Sequence, residues 1–207
     1  IYFYTTSGGG AACTETLLQL PIDFDCGSLD YESKRVAGNI DFSIIDNPQL
    51  NGVNTAVTKV GEIINKGANW ENLNFSLDTP INFSTDKSIK LKLYSTVSVP
   101  IKLKVETGGT PVENDQTHGG TGWEELTFNL PTSESFSNII IFIDGPGTTA
   151  GTFYIDDIEQ VATAGGGGGS CPAPPAGDLI SNGDFEAGES CWQLINNGGL
   201  VTISSTE

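Results

Sequence analysis

The sequence predicts an all-β protein, an antiparallel β-sandwich. Three observations carry that expectation: apolar residues alternate with polar ones at a period of two, the alternating segments are short and bounded by Gly, Pro, Asn and Ser, and no sustained helical period appears. In chain order, residues 40–45 form a first, weaker strand candidate, residues 60–65 carry the one hint of a helical turn, and residues 74–77 form a second weak strand. The pattern is plainest in Lys87–Tyr94, where Ile89, Leu91 and Leu93 alternate with Lys90, Lys92 and Tyr94. Directly after it, Val99, Ile101, Leu103 and Val105 alternate with Pro100, Lys102, Lys104 and Glu106. Residues 124–130, 138–143 and 153–159 complete the set. Two facing sheets, each hiding an apolar face and showing a polar one, bury short strands of this kind.

The organisation along the chain is repetitive. Ile1–Ser7 runs into Gly8-Gly9-Gly10 and Cys13, and much later Phe153-Tyr154-Ile155 runs into Gly165–Gly169 and Cys171. After each cysteine comes an apolar stretch with a pair of acids, Ile22-Asp23-Phe24-Asp25 first and Gly183-Asp184-Phe185-Glu186 second. The offset between the two cysteines is the size of a domain. Residues 1–10 are therefore read as the tail of a preceding module and a linker, and 11–161 as a complete module. Residues 162–177 read as a Gly/Pro-rich linker, and 178–207 as the start of a further, truncated module. With no Met and no leader, the 207 residues are expected to be a processed form or a slice of a tandem repeat, with other modules of the same chain as neighbours.

Charge removes some partners. With 26 acidic against 9 basic side chains the net charge is −17, which repels phosphate backbones and anionic surfaces, so no nucleic acid is expected. No apolar run approaches the roughly 18–20 residues of a spanning helix, so no membrane insertion is expected either. Of the four cysteines, Cys13 and Cys26 bracket one apolar segment and Cys171 and Cys191 another. Two local disulfides, Cys13–Cys26 and Cys171–Cys191, are the preferred connectivity of the three available; the alternative is four unpaired thiols. Bridges would place the protein outside the cell, secreted or at the cell surface.

Catalytic chemistry finds little support. His118 is the only histidine, so a nucleophilic triad has one candidate base, and it sits in Gln116–Gly122, which reads as a solvated loop. Among 26 acidic residues no carboxyl pair stands out for glycoside hydrolysis, and the chain is expected not to be an enzyme. A hard cation is better supplied. Asp23 and Asp25 end the first strand, and Asp156 and Asp157 lie in the last; if these strands neighbour one another, calcium is the cofactor such oxygen donors suit. Alternation puts Asp156 and Asp157 on opposite faces, so at most one points toward a given site. The alternative is solvated acids at strand ends.

The order of short motifs is similar to that of a known family. It begins with Leu20-Pro-Ile-Asp-Phe-Asp25, Asp46-Asn-Pro48, Gly52-Val-Asn-Thr55 and Lys59-Val-Gly61. It continues with Gly67-Ala-Asn-Trp70, Leu77–Ser84, Trp123–Phe128 and Thr152–Ile158. This order resembles the carbohydrate-binding-module-like sandwich repeated in secreted and surface proteins of Bacteroidetes. The later Asn182-Gly-Asp-Phe-Glu186 followed by Trp192 resembles the opening of jelly-roll modules of families four and twenty-two. The resemblance implies a jelly-roll sandwich and non-catalytic glycan binding. It also implies a structural calcium ion between the first-strand acid and the last-strand aspartate, here Asp25 and Asp156, with Asp23 and Asp157 as neighbours.

Sugar recognition needs aromatic faces for the C–H side of a pyranose and polar groups for its hydroxyls. Trp70, in the polar setting Asn69-Trp70-Glu71, is a candidate wall; the competing reading is a plug at the sandwich end. Trp123 reads as a rim or core residue. Tyr94 shares the polar face of its strand with Lys90 and Lys92, and if the two Lys-rich strands form a hairpin, Lys102 and Lys104 join that face. Either neighbouring acids such as Glu106, Glu124 and Glu125 balance these lysines, or the face accepts an anionic partner. The expected ligand is a polysaccharide held by Tyr94, Lys92, Lys102 and Lys104, with Trp70 beside them. A β-glucan is the first choice and a uronate-containing glycan the second. The alternative is a structural spacer or adhesin repeat without a sugar ligand, which should bury both Trp70 and Tyr94.

Overall fold

The alternating segments become the strands of two five-stranded antiparallel sheets in the computed structural model, which describes residues 15–36 and 38–162. The strands are β1 (Arg35–Val36), β2 (Asp41–Asp46), β3 (Lys59–Asn65), β4 (Asn72–Asn82) and β5 (Ser88–Ser95). They continue with β6 (Val99–Glu106), β7 (Val112–His118), β8 (Gly122–Asn129), β9 (Ser135–Ile143) and β10 (Gly151–Val161). One sheet runs β1-β4-β9-β6-β7 and the other β2-β3-β10-β5-β8. Consecutive strands repeatedly pass from one sheet to the other, the jelly-roll manner of winding a sandwich. Among the described residues the one helical segment is a 3-10 turn, Glu32–Lys34, and no helix is long and apolar enough to cross a membrane.

Burial follows the period of two. Ile89, Leu91 and Leu93 of β5 and Val99, Ile101, Leu103 and Val105 of β6 are almost wholly enclosed, each set facing the other sheet. At one end of the interior Phe24, Tyr31, Phe42 and Phe75 form an aromatic cluster, with Phe42 and Phe75 edge to face at 5.6 Å. This cluster explains Gly61 in β3: a Cβ there would lie 2.9 Å from both Phe42 and Ile155. The opening segment is held by a single bridge rather than a long strand, with Ile22 and Ile158 exchanging backbone hydrogen bonds of 2.8 and 2.9 Å.

Three expectations are corrected. Residues 60–65 are strand β3 and not a helical turn. The β-branched Val60, Ile63 and Ile64 favour extended backbone, and β2 and β10 flank the segment on both sides. The first part of the histidine loop, Gln116 to His118, is the end of strand β7, and His118 is not solvated but fully enclosed at 0% exposure. Its Nδ1 accepts the Gly120 N–H at 2.9 Å, which leaves Nε2 to donate to the Leu93 carbonyl at 3.0 Å. Last, β5 and β6 form no hairpin: β5 pairs with β10 and β8, and β6 with β9 and β7. The chain crosses from one sheet to the other between them, so their lysines point out of opposite faces of the sandwich.

Candidate ligand groove

The outer face of the β1-β4-β9-β6-β7 sheet ends in a groove of about 580 Å³ lined by Trp70, Pro100, Lys102, Asp115, Gln116, Thr117, Gly145 and Pro146. That volume falls within the range of small-ligand sites. Register builds its floor: Lys102 lies opposite Asp115 on one side and Phe142 on the other, and Phe142 lies opposite Asn72. Opposed residues share a face, so an ammonium, a carboxylate, an aromatic ring and an amide meet in one row.

Trp70 is the wall, on the connection between β3 and β4. It is 53% exposed, and its ring stands edge to face on Phe142 at 5.9 Å. Its backbone has a positive φ of 63°, a conformation that non-glycine residues hold only when surroundings fix it. They do so here. The Trp70 N–H donates to the Gly145 carbonyl, the Asn72 side-chain amide donates to the Trp70 carbonyl at 2.9 Å, and Asn69 donates to the carbonyls of Pro146 and Gly147. The opposing turn is tied by Asp144, whose Oδ2 accepts from the Thr149 N–H at 3.0 Å and from its hydroxyl at 2.6 Å.

The groove's cation is spoken for. Lys102 Nζ lies 2.9 Å from Glu113 and 3.0 Å from Asp115. Burial alone would lower its pKa, but the hydrogen bonds to Glu113 and Asp115 carry it above the ordinary lysine value. Lys104, further along the same face, pairs with Glu106 at 2.8 Å.

Tyr94 and Lys92 belong to the other sheet. Tyr94 is half-buried between Trp123 and Tyr154, at ring separations of 5.7 and 5.5 Å. Trp123 is 4% exposed and donates its indole N–H to the Gln49 carbonyl at 2.7 Å, which makes it a packing residue. Lys92 pairs with Asp157 at 2.7 Å, and Lys90 with Glu125 and Glu159. The single face expected from Tyr94, Lys92, Lys102 and Lys104 is thus two faces, and of those residues only Lys102 lines the groove with Trp70. Spacing could suggest Trp70. Phe142, Asp115, Gly145 and Pro146 reach it from distant parts of the chain, and only the turn-forming run Asp144-Gly145-Pro146-Gly147 hinted at a structured loop there.

The four acids also divide. Asp156, 2% exposed, accepts from the Asn54 side-chain amide at 2.8 Å and from the Asp157 N–H at 2.9 Å. Burial, helped by the neighbouring Asp157 charge, pushes its pKa up to about 7. Asp25 accepts the Lys59 N–H at 2.7 Å, and the Asp25 N–H donates to Asp23 at 3.1 Å. The Asp25 pKa is raised by burial and by the Asp23 and Asp157 charges. Among the described residues no three acidic, histidine or cysteine side chains converge as a metal would require. Cys26 is buried, with Ser28 Oγ 3.3 Å from its sulfur; Cys13, Cys171 and Cys191 lie outside the described residues.

The raised pKa of Asp156 has a pH signature in metal-free protein. The folded state holds this proton more tightly than the unfolded chain, whose value is near 3.8. The contribution of Asp156 to stability is therefore most favourable below pH about 4, declines as pH rises to about 7, and is flat above. The Asp156→Asn variant lacks this titration. In denaturant unfolding with chelator present, its stability relative to wild type should climb between pH 4 and 7; a constant difference would contradict the assignment.

Neither a protein-family model nor a curated protein matches the sequence. The chain is similar to solved carbohydrate-binding modules. One is the family 22 module and family 10 glycoside hydrolase module of the Clostridium thermocellum endo-1,4-β-D-xylanase 10B, complexed with xylohexaose. The TM-score is 0.48 and the identity 12% over 69% of this chain, which spans only 28% of that one. A second is the C-terminal family 22 module of the same xylanase, with TM-score 0.45 and 17% identity, covering 69% of this chain and 93% of that one. A third is the low-affinity xylan-binding module of family 86 from Roseburia intestinalis, with TM-score 0.42 and 21% identity, covering 64% of this chain and 92% of that one.

Proposed function

We propose that residues 11–161 are a non-catalytic glycan-binding module of an extracellular, multimodular protein, and that the groove beside Trp70 holds the polysaccharide. The observation that carries this reading is an exposed indole fixed at a strained backbone position above a row of polar groups. An exposed aromatic offers its face to the C–H side of a sugar, while Asp115, Lys102 and Thr117 offer hydrogen bonds to hydroxyls. A spacer has no use for such a wall.

The charges favour a neutral glycan, a β-glucan or a xylan, over a uronate polymer. Lys102 is shared by two carboxylates and Lys104 by a third, so neither offers uncompensated positive charge. The net charge of −17 adds long-range repulsion of polyanions. Calorimetric titration with cellohexaose, xylohexaose and an oligogalacturonate tests both points. A neutral hexaose should bind with little dependence on salt, and Tyr94→Ala should leave its affinity within about twofold. Salt-sensitive binding of the uronate alone, or loss of binding in Tyr94→Ala, would contradict the reading.

A structural calcium ion is part of the proposal. Asp156 suits it as a buried hard-oxygen donor, and its desolvated carboxylate is the group a cation would relieve. Asp25, turned to Lys59, is a weaker partner for it than the resemblance implied. Calcium should raise the melting temperature of wild type and leave Asp156→Asn unmoved; a wild-type melting temperature indifferent to both calcium and chelator would refute it. The Cys13–Cys26 bridge belongs to the extracellular reading too, and ready alkylation of Cys26 in native, unreduced protein would remove it.

A further inference from the structure

A binding wall carried on a loop is only as good as the shell that holds it. Next to Trp70 stands a side chain that faces the opposite way. Glu71 is 2% exposed, and its carboxylate accepts the backbone N–H groups of Lys66 at 2.9 Å, Gly67 at 2.9 Å and Ala68 at 3.1 Å. The nearby Lys66 ammonium goes elsewhere, to Asp41 at 2.6 Å. Charge-assisted bonds from backbone N–H groups therefore satisfy this enclosed anion, and they do so only while the loop keeps its shape. If the loop opened, the carboxylate would be left buried without partners.

We propose that Glu71 is a positioning residue, which fixes the 66–71 loop so that Trp70 is presented to ligand in one orientation. The functional half of this claim rests on the glycan-binding reading; the structural half does not. The loop's three N–H groups converge on Glu71 from the inside, while the Trp70 N–H is held from the outside by Gly145. Both sides of the Trp70 backbone are thereby fixed, and ring orientation is settled before ligand arrives. Preorganisation of this kind reduces the ordering cost of binding.

Glu71→Gln is the informative change, because it keeps size and shape but turns one acceptor oxygen into an N–H₂ group that opposes the converging N–H donors. The full chain labelled with 5-fluorotryptophan carries three reporters, and Trp70→Phe assigns the one that matters. In Glu71→Gln the Trp70 ¹⁹F resonance should move and broaden while that of Trp123 stays in place. Affinity for whichever of cellohexaose and xylohexaose the wild type binds should fall about tenfold. An unmoved Trp70 resonance would overturn the proposal, and so would undiminished affinity, since a purely structural residue would lower the melting temperature alone. If the variant does not fold, wild type decides: the amides of Lys66, Gly67 and Ala68 should be protected from hydrogen exchange like those of the neighbouring strands, and exchange at open-loop rates would overturn the proposal. Should wild type bind neither hexaose, the glycan reading fails, while the Trp70 resonance still reports whether Glu71 fixes the ring.

Discussion

Replacing Trp70 by alanine should weaken binding of a neutral hexaose by about 2 kcal/mol, roughly thirtyfold in Kd, the effect expected of a central aromatic contact. The same change should leave the fold almost untouched. The ring is 53% exposed, and among the described residues its one aromatic contact is the edge-to-face approach to Phe142, so the stability change should stay within about 1 kcal/mol. Alanine retains the left-handed backbone strain at this position and adds none. Calorimetric titration paired with thermal unfolding separates the two quantities. Unchanged affinity would remove Trp70 from the site; a large loss of stability would mean that it is a structural plug.

The Phe75→Ala change should act in the opposite sense, on stability and not directly on the groove. Phe75 is fully enclosed in the middle of β4, with Arg35 of β1 opposite on one side and Ile139 of β9 on the other. It meets Phe42 at 5.6 Å and Phe24 at 6.3 Å. Because both neighbouring strands are hydrogen-bonded to β4, the cavity can collapse only partly, and the cost should be about 3–5 kcal/mol. Denaturant unfolding should show the midpoint falling at constant slope. A cost below about 1 kcal/mol would mean that the aromatic cluster does not organise this end of the sandwich.

How much the residues revealed depended on what kind of information a feature needs. Period-two alternation says which side of a strand faces inward, and for β5, β6 and β8 that was enough. It does not say which sheet a strand joins. Lys92 and Lys102 are close in sequence and alike in pattern, yet the crossing between β5 and β6 sends them to opposite outer faces. Strand β7, Val112–His118, was hidden because it is an edge strand with one aliphatic residue, its inward positions held by Asn114 and Gln116 and its end by a buried histidine. Asp156 shows the reverse case. Its register opposite Lys92 puts it on an outer face, where alternation expects exposure, but Asn54 from the β2–β3 connection closes over it. Trp70 was visible because a tryptophan among polar turn residues is unusual; its supports at Asp144–Thr149 were not, because only the folded chain brings the two loops together.

The central claim is that ligand is held on the Trp70 face, and mapping amide and indole shifts of the full chain during titration with a neutral hexaose tests it most directly. Saturable shifts should concentrate at the Trp70 indole N–H and at Asp115, Gln116, Thr117 and Gly145, while Lys92, Tyr94 and Tyr154 on the other sheet stay still. Shifts centred on Tyr94 and Tyr154 with a silent Trp70 would contradict the account.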